Sequence, residues 1–214
     1  MPAPETKVVQ GKLDLSQWNI NKQPIVGLSG EWQVEVLTER KWPVFGKNEF
    51  FVLPGGWADK RYGGKFPDQG VLAYRAQIRL PTAKRSLSLN APLIYCAYEI
   101  YINGKLTLSR GRVGFSREEE LFSARLQYIL LSPETTEIEI VIIHSAHNFR
   151  YGIIDKVLEL GTTEYIANRS GERTMADYSI FGFALVMMLY HLVLFALRPK
   201  EKSTLYFSLL CVVI

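Results

Sequence analysis

Residue types able to grip a polar ring compound are concentrated in one glycine-rich loop, Gly55–Phe66 (GGWADKRYGGKF). Trp57 and Tyr62 offer flat apolar faces suited to the apolar side of a sugar ring, and Arg61 offers a planar fork of donors for hydroxyl groups. Arg75, Asn148 and Arg150 are further candidates for ligand contact, on an exposed sheet face or an adjoining loop. A competing reading makes Trp57 and Tyr74 core aromatics and leaves the arginines solvated, since both placements are common for these residue types. The spacing of the residues leaves that choice open.

Catalytic and metal chemistry have less support. His144 and His147 (HSAH) are three apart, but a metal needs more ligands than this segment supplies. Asp59, Asp68 and Glu118-Glu119-Glu120 are the acidic groups that best fit exposed loops. Glycoside hydrolysis needs two carboxylates across a cleft, a pairing that sequence does not establish. Ser116–Glu120 reads as a solvated loop or the start of a short helix. No catalytic, metal or cofactor site is therefore expected. Cys96 and Cys211 show neither zinc nor redox spacing, and Cys211 lies in an apolar segment, so no intrachain disulfide is expected. The net charge of +4 comes from scattered Lys and Arg with no basic stripe, so nucleic acid is not an expected partner.

The elements that must position these residues are strands. In Val71–Leu80 (VLAYRAQIRL), Leu72, Tyr74, Ala76, Ile78 and Leu80 share one face while Arg75, Gln77 and Arg79 share the other. Pro81 ends the run because it cannot donate to a ladder. Thr136–Ile143 (TEIEIVII) sets Ile138, Ile140 and Ile142 against Glu137 and Glu139. Tyr95–Ile102 runs into Asn103-Gly104, the two-residue turn of a hairpin. Trp32–Leu37, Phe50–Leu53, Leu87–Asn90 and Leu126–Leu131 are further strands, and no amphipathic helix longer than about two turns precedes Tyr165. Roughly eight strands at short spacing predict an all-β fold, a β-sandwich or jelly roll.

The order of landmarks in this region resembles the galactose-binding-like jelly roll, the accessory sugar-binding domain of β-galactosidases and β-glucuronidases. Gly30-Glu31-Trp32 is similar to its opening G-x-W strand, and Leu53-Pro54 with Trp57 to its next landmark. Gly70, Ala73-Tyr74-Arg75 and Leu80-Pro81 resemble its long central strand, and Tyr98–Gly104 (YEIYING) its Asn-Gly hairpin. The likeness covers roughly residues 25–145 and implies the fold more firmly than any ligand. In those hydrolases the catalytic acids lie on a separate barrel domain, so it implies a binding part and not a catalytic one.

Tyr178–Leu197 (YSIFGFALVMMLYHLVLFAL) is free of Asp, Glu, Lys and Arg over the length that a bilayer core requires of a helix. Arg198, Lys200 and Lys202 follow, and Thr204–Ile214 then opens a second apolar stretch. The positive-inside rule puts those three basic residues in the cytoplasm and the β region outside it. His191 falls within the first apolar run, where a helix-packing hydrogen bond is expected in preference to a proton relay.

This stretch is similar to the start of the membrane region in bacterial seven-transmembrane receptors with diverse intracellular signalling modules (7TMR-DISM). Tyr190-His191, Leu194-Phe195, Arg198 and Leu205-Tyr206-Phe207 carry the likeness, as do His147–Gly152 and Leu160-Gly161 ahead of the membrane. Tyr151 stands where that family often has Gly. The resemblance implies an inner-membrane signal receptor whose jelly roll binds a small molecule, a carbohydrate being one candidate, and whose output domain lies beyond Ile214.

The expected organisation is an N-terminal extension at 1–24, an extracytoplasmic sandwich at 25–163 and a juxtamembrane linker at 164–177. A first membrane helix at 178–197, a cytoplasmic loop at 198–202 and the opening of a second membrane helix at 203–214 complete it. The stretch after Met1 has no apolar signal core, so export calls for a leader upstream. The alternatives are a protein-interaction module, homodimerisation included, and an accessory domain of a membrane-tethered glycoside hydrolase.

Overall fold

Alternation along the strands decides the layers. In the computed structural model, which describes residues 7–46, 48–82, 86–91, 96–123, 128–131, 136–148, 153–154, 156–198 and 202–213, the alternating segments pair into two main sheets. The strands in chain order are β1 (Lys12–Asp14), β2 (Ile25–Gly27), β3 (Gly30–Leu37), β4 (Phe50–Leu53), β5 (Gly55–Gly56), β6 (Gly70–Arg79) and β7 (Leu87–Asn90). They continue as β8 (Ala97–Ile102), β9 (Lys105–Arg110), β10 (Tyr128–Leu130), β11 (Glu137–Ala146), β12 (Ile153–Ile154) and β13 (Glu159–Thr162). Two helices follow, α1 (Thr163–Leu197) and α2 (Lys202–Val213). The chain divides into two compact units, Met1–Ile166 and Ala167–Ile214.

The first unit is an antiparallel β-sandwich of jelly-roll type. Its larger sheet runs β4-β3-β6-β11-β8-β9, with β1 added parallel to β6, and its smaller sheet runs β10-β7-β13-β2. The central pair β6–β11 is long, ten residues matched from Glu137↔Arg79 to Ala146↔Gly70. Its inner face puts Leu72, Tyr74, Ala76 and Ile78 beside Ile138, Ile140 and Ile142, and these pack with Leu89 and Leu160 of the smaller sheet in one core. Asn103 (φ 50°) and Gly104 (φ 75°) turn β8 into β9, the hairpin that the Asn-Gly pair predicts.

The sandwich begins well before residue 25, the start expected from sequence. Val8, Leu13, Leu15 and Ile20 are buried in its core, and β1 lies in register with β6, Lys12↔Gln77 to Asp14↔Arg79. Gly30 makes this possible. At φ 127° it lets Val8 bridge alongside, where a Cβ would collide with the Val8 carbonyl.

The segment expected to link the sandwich to the apolar run is helical, because α1 starts directly after β13. Thr162 caps it, its hydroxyl accepting from the Tyr165 N–H at 3.3 Å. Thr163 donates its N–H to the Ser86 carbonyl (3.1 Å), and Ile166 is buried in the sandwich unit. In the second unit, Tyr178–Leu197 is long and apolar enough to cross a membrane, with none of the span buried. His191 hydrogen-bonds within its own helix, Nδ1 to the Met187 carbonyl at 2.9 Å. Its ring meets α2 through an aromatic contact with Phe207, centroids 4.3 Å apart.

Candidate functional site

The glycine-rich loop turns its aromatic rings inward. Trp57 is 1% exposed, donates its indole N–H to the Tyr74 hydroxyl at 2.6 Å and stands edge-on to His144. Tyr62 stacks on Phe51 at 4.6 Å, and its hydroxyl accepts from the Val52 N–H at 2.7 Å. Asp59 caps the short turn Lys60–Tyr62 and holds the Arg61 guanidinium at 2.7 and 2.9 Å, which lowers the carboxyl pKa and raises that of the guanidinium. Only Arg61 of this trio reaches solvent well. Asn148 donates to the Arg117 carbonyl at 3.3 Å, and Arg150 lies outside the described residues. Of the five described candidates, Trp57 and Tyr62 face the core, while Arg75 stands on a different surface.

That surface is the outer face of the larger sheet. Around Arg75, its Nε donates to the Gln33 carboxamide oxygen (2.8 Å), its Nη1 lies 3.7 Å from the Glu139 carboxylate, and its guanidinium covers the Phe45 ring at 4.6 Å. Toward the β6 N-terminus, segments 38–46 and 111–116 lie over the sheet and bury Phe45, Val71, Ala73, Val113, Val141 and Ile143 in a second apolar cluster. Glu35 pins the first segment by accepting the Val44 and Phe45 N–H groups at 2.7 and 2.9 Å. Gly111 (φ 78°) shapes the second, where Arg112 pairs with Leu121 so closely that a Cβ on Gly111 would strike the Leu121 carbonyl. Arg40 ties the two walls, donating to the Val113 carbonyl at 2.9 Å with its guanidinium near the Phe115 ring.

Between the walls is a recess of about 200 Å³. Trp42 forms one side, 47% exposed and edge-on to Tyr101 at 5.0 Å and 80°. Tyr101 donates to Glu99 at 2.7 Å, and burial, then this carboxylate, push its hydroxyl pKa up to about 12. The recess therefore combines an open indole face, a phenol fixed as a donor, and the planar polar groups of Arg40 and Glu99. Sequence reading missed Trp42. Its setting, Lys41-Trp42-Pro43 between strands, is a signal that it stands in a loop.

A different polar row crosses the inner face at one end, through the paired positions His144, Tyr98 and Arg110. His144 is fully buried, neither ring nitrogen has a hydrogen-bond partner among the described residues, and burial lowers its pKa to about 3. Arg110 donates to the Ala91 carbonyl at 3.1 Å and lies over the Tyr98 ring, and burial lowers its pKa. His147 is placed differently from His144, its Nε2 against the Gly114 carbonyl at 3.1 Å. Among the described residues, no three of His, Cys, Asp and Glu gather closely enough to hold a metal ion.

No protein-family model and no curated protein matches the chain. Solved structures similar to it include a β-glucuronidase from Faecalibacterium prausnitzii, at 13% identity over 65% of this chain and 31% of that one, with TM-score 0.51. A β-glucuronidase from an uncultured Clostridium sp. is similar at 15% identity over 64% of this chain and 29% of that one, TM-score 0.49. A GH2 β-galacturonidase from Eisenbergiella tayi is similar at 14% identity over 64% and 24%, TM-score 0.45. The chain spans under a third of the length of these proteins, and the likeness to the first is one of fold. That fold is the β-sandwich which the ordered landmarks from Gly30 to Gly104 lead one to expect.

Proposed function

We propose that this chain is the ligand-recognition part of a bacterial membrane receptor and that it binds carbohydrate on the outer face of the larger sheet. The observation that carries the reading is Trp42, half open to solvent and braced against Tyr101 beside Arg40 and Glu99. An indole face covers the apolar side of a sugar ring, while a guanidinium and a carboxylate take hydroxyl pairs as donor and acceptor. Both walls are anchored by hydrogen bonds, so little order has to be imposed on binding. The receptor part of the proposal draws on the apolar span Tyr178–Leu197, the basic residues after it, and the sequence likeness to the 7TMR-DISM membrane region. In this reading the sandwich binds without catalysing, and the ligand acts by differing in affinity for two receptor states.

A glycan array probed with the full chain in detergent micelles tests the binding claim. Trp42→Ala is expected to lower affinity about tenfold or more, the worth of one stacked aromatic ring, while the core variant Trp57→Phe binds as wild type. Equal binding by Trp42→Ala, or no bound glycan at all, would sink the proposal. A second reading, favoured by the fold shared with a glucuronidase, is an accessory domain of a membrane-tethered glycosidase. It predicts hydrolysis of the bound glycan by the full gene product, which the receptor reading does not.

A further inference from the structure

The Trp42 recess occupies one end of a longer surface. Along β6 the outer positions run Ala73, Arg75, Gln77, Arg79, and along β11 they run Ile143, Val141, Glu139, Glu137. The first members lie under the walls and the last are open, giving a row about 20 Å long at the strand rise. Beyond Arg75 the open end forms a second and larger depression of about 580 Å³. Its floor carries Gln77, Arg79, Glu137 and Glu139, and β1 builds one side by setting Lys12 and Asp14 next to Gln77 and Arg79. Cations and carboxylates alternate across this floor, so no single sign of field dominates it. Planar amide, guanidinium and carboxylate groups at successive same-face positions are the groups that pair with hydroxyls.

We infer that the ligand is a neutral, unbranched oligosaccharide lying along the strands, with one ring at Trp42, the next over Arg75 and later rings over Gln77 and Arg79. This rests on the carbohydrate reading above and extends it from one ring to a chain. A single sugar fills the Trp42 recess alone and leaves the larger depression empty. A polyanionic glycan gains nothing from a floor of interleaved sign, because each contact with Arg79 or Lys12 is offset by a nearby carboxylate.

The test is a titration of the full chain in lipid nanodiscs with neutral gluco-, xylo-, manno- and galacto-oligosaccharides, from monosaccharide to hexasaccharide, beside an oligogalacturonate series. Affinity for one neutral series is expected to rise about tenfold or more from monomer to tetramer, equivalent to about 1.4 kcal/mol. The surface double variant Gln77→Ala/Arg79→Ala should lose that gain and keep monomer binding, whereas Trp42→Ala should weaken every length. A monomer bound as tightly as the tetramer, a double variant with the full gain, or tighter binding of oligogalacturonate would overturn the inference and leave the Trp42 site standing. Binding of no sugar at any length would overturn both.

Discussion

Trp57 and Trp42 carry the same ring and end in opposite environments. Trp57 is buried with its N–H satisfied by Tyr74, while Trp42 keeps nearly half its surface in solvent. Residue type alone could not separate them, because an indole suits a core and a binding face equally well. What was legible was the partition within a strand: alternation put Tyr74 inside and Arg75 outside, and both are there. Trp57→Phe should cost about 1–2 kcal/mol through the unpaired Tyr74 hydroxyl, read as a lower Tm. His144 gives a pH prediction at the same scale. Burial holds its pKa at about 3 against the ordinary 6.5, so between those values the unfolded chain takes up a proton that the folded chain refuses. Its contribution is fully present above pH 6.5 and is lost as the pH falls toward 3. Thermal melts across that window should show a shallower acid loss for His144→Phe, and equal slopes for both proteins would exclude this role.

At the scale of elements, length decided what could be read. β3, β4, β6, β7, β8 and β11 have four to ten residues, enough to show alternation, and each matches a segment marked out from sequence. β1, β2, β5 and β12 have only two or three, too few to show a period, so the N-terminal part of the core went unseen. The walls of the Trp42 recess were invisible for another reason, since they are loops held by side-chain-to-backbone hydrogen bonds that no periodicity marks. Glu35 to Val44 and Phe45 is one such contact, and Arg40 to Val113 is another. Glu35→Ala frees segment 38–46, and it should weaken glycan binding severalfold with a stability loss of about 1–2 kcal/mol; unchanged affinity would show that Trp42 needs no such brace. Gly111→Ala forces a side chain into a left-handed turn against the Leu121 carbonyl, and chemical denaturation should register a loss of about 1–3 kcal/mol.

For the whole molecule, the sandwich carries two depressions on the outer face of its larger sheet, and the second unit carries a helix whose apolar stretch matches a bilayer. The fold was legible because several weak landmarks fell in one order, an agreement across levels that chance alignment of any single one would not produce. The proposed ligand face was not, because it is made where β6, β8 and β11 meet two loops distant in sequence. In the proposed receptor this face looks outward from a cell, and the sidedness of the chain tests that most directly. Lys105→Cys on exposed β9 and Lys202→Cys at the start of α2 would be made in a Cys211→Ser background, leaving only buried Cys96. Both would be expressed in bacteria behind a secretory leader and treated with a membrane-impermeant maleimide. Lys105→Cys should be labelled on intact cells and Lys202→Cys only after permeabilisation. Labelling of both only after permeabilisation, or the reverse pattern, would contradict an outward-facing receptor whatever the sandwich binds.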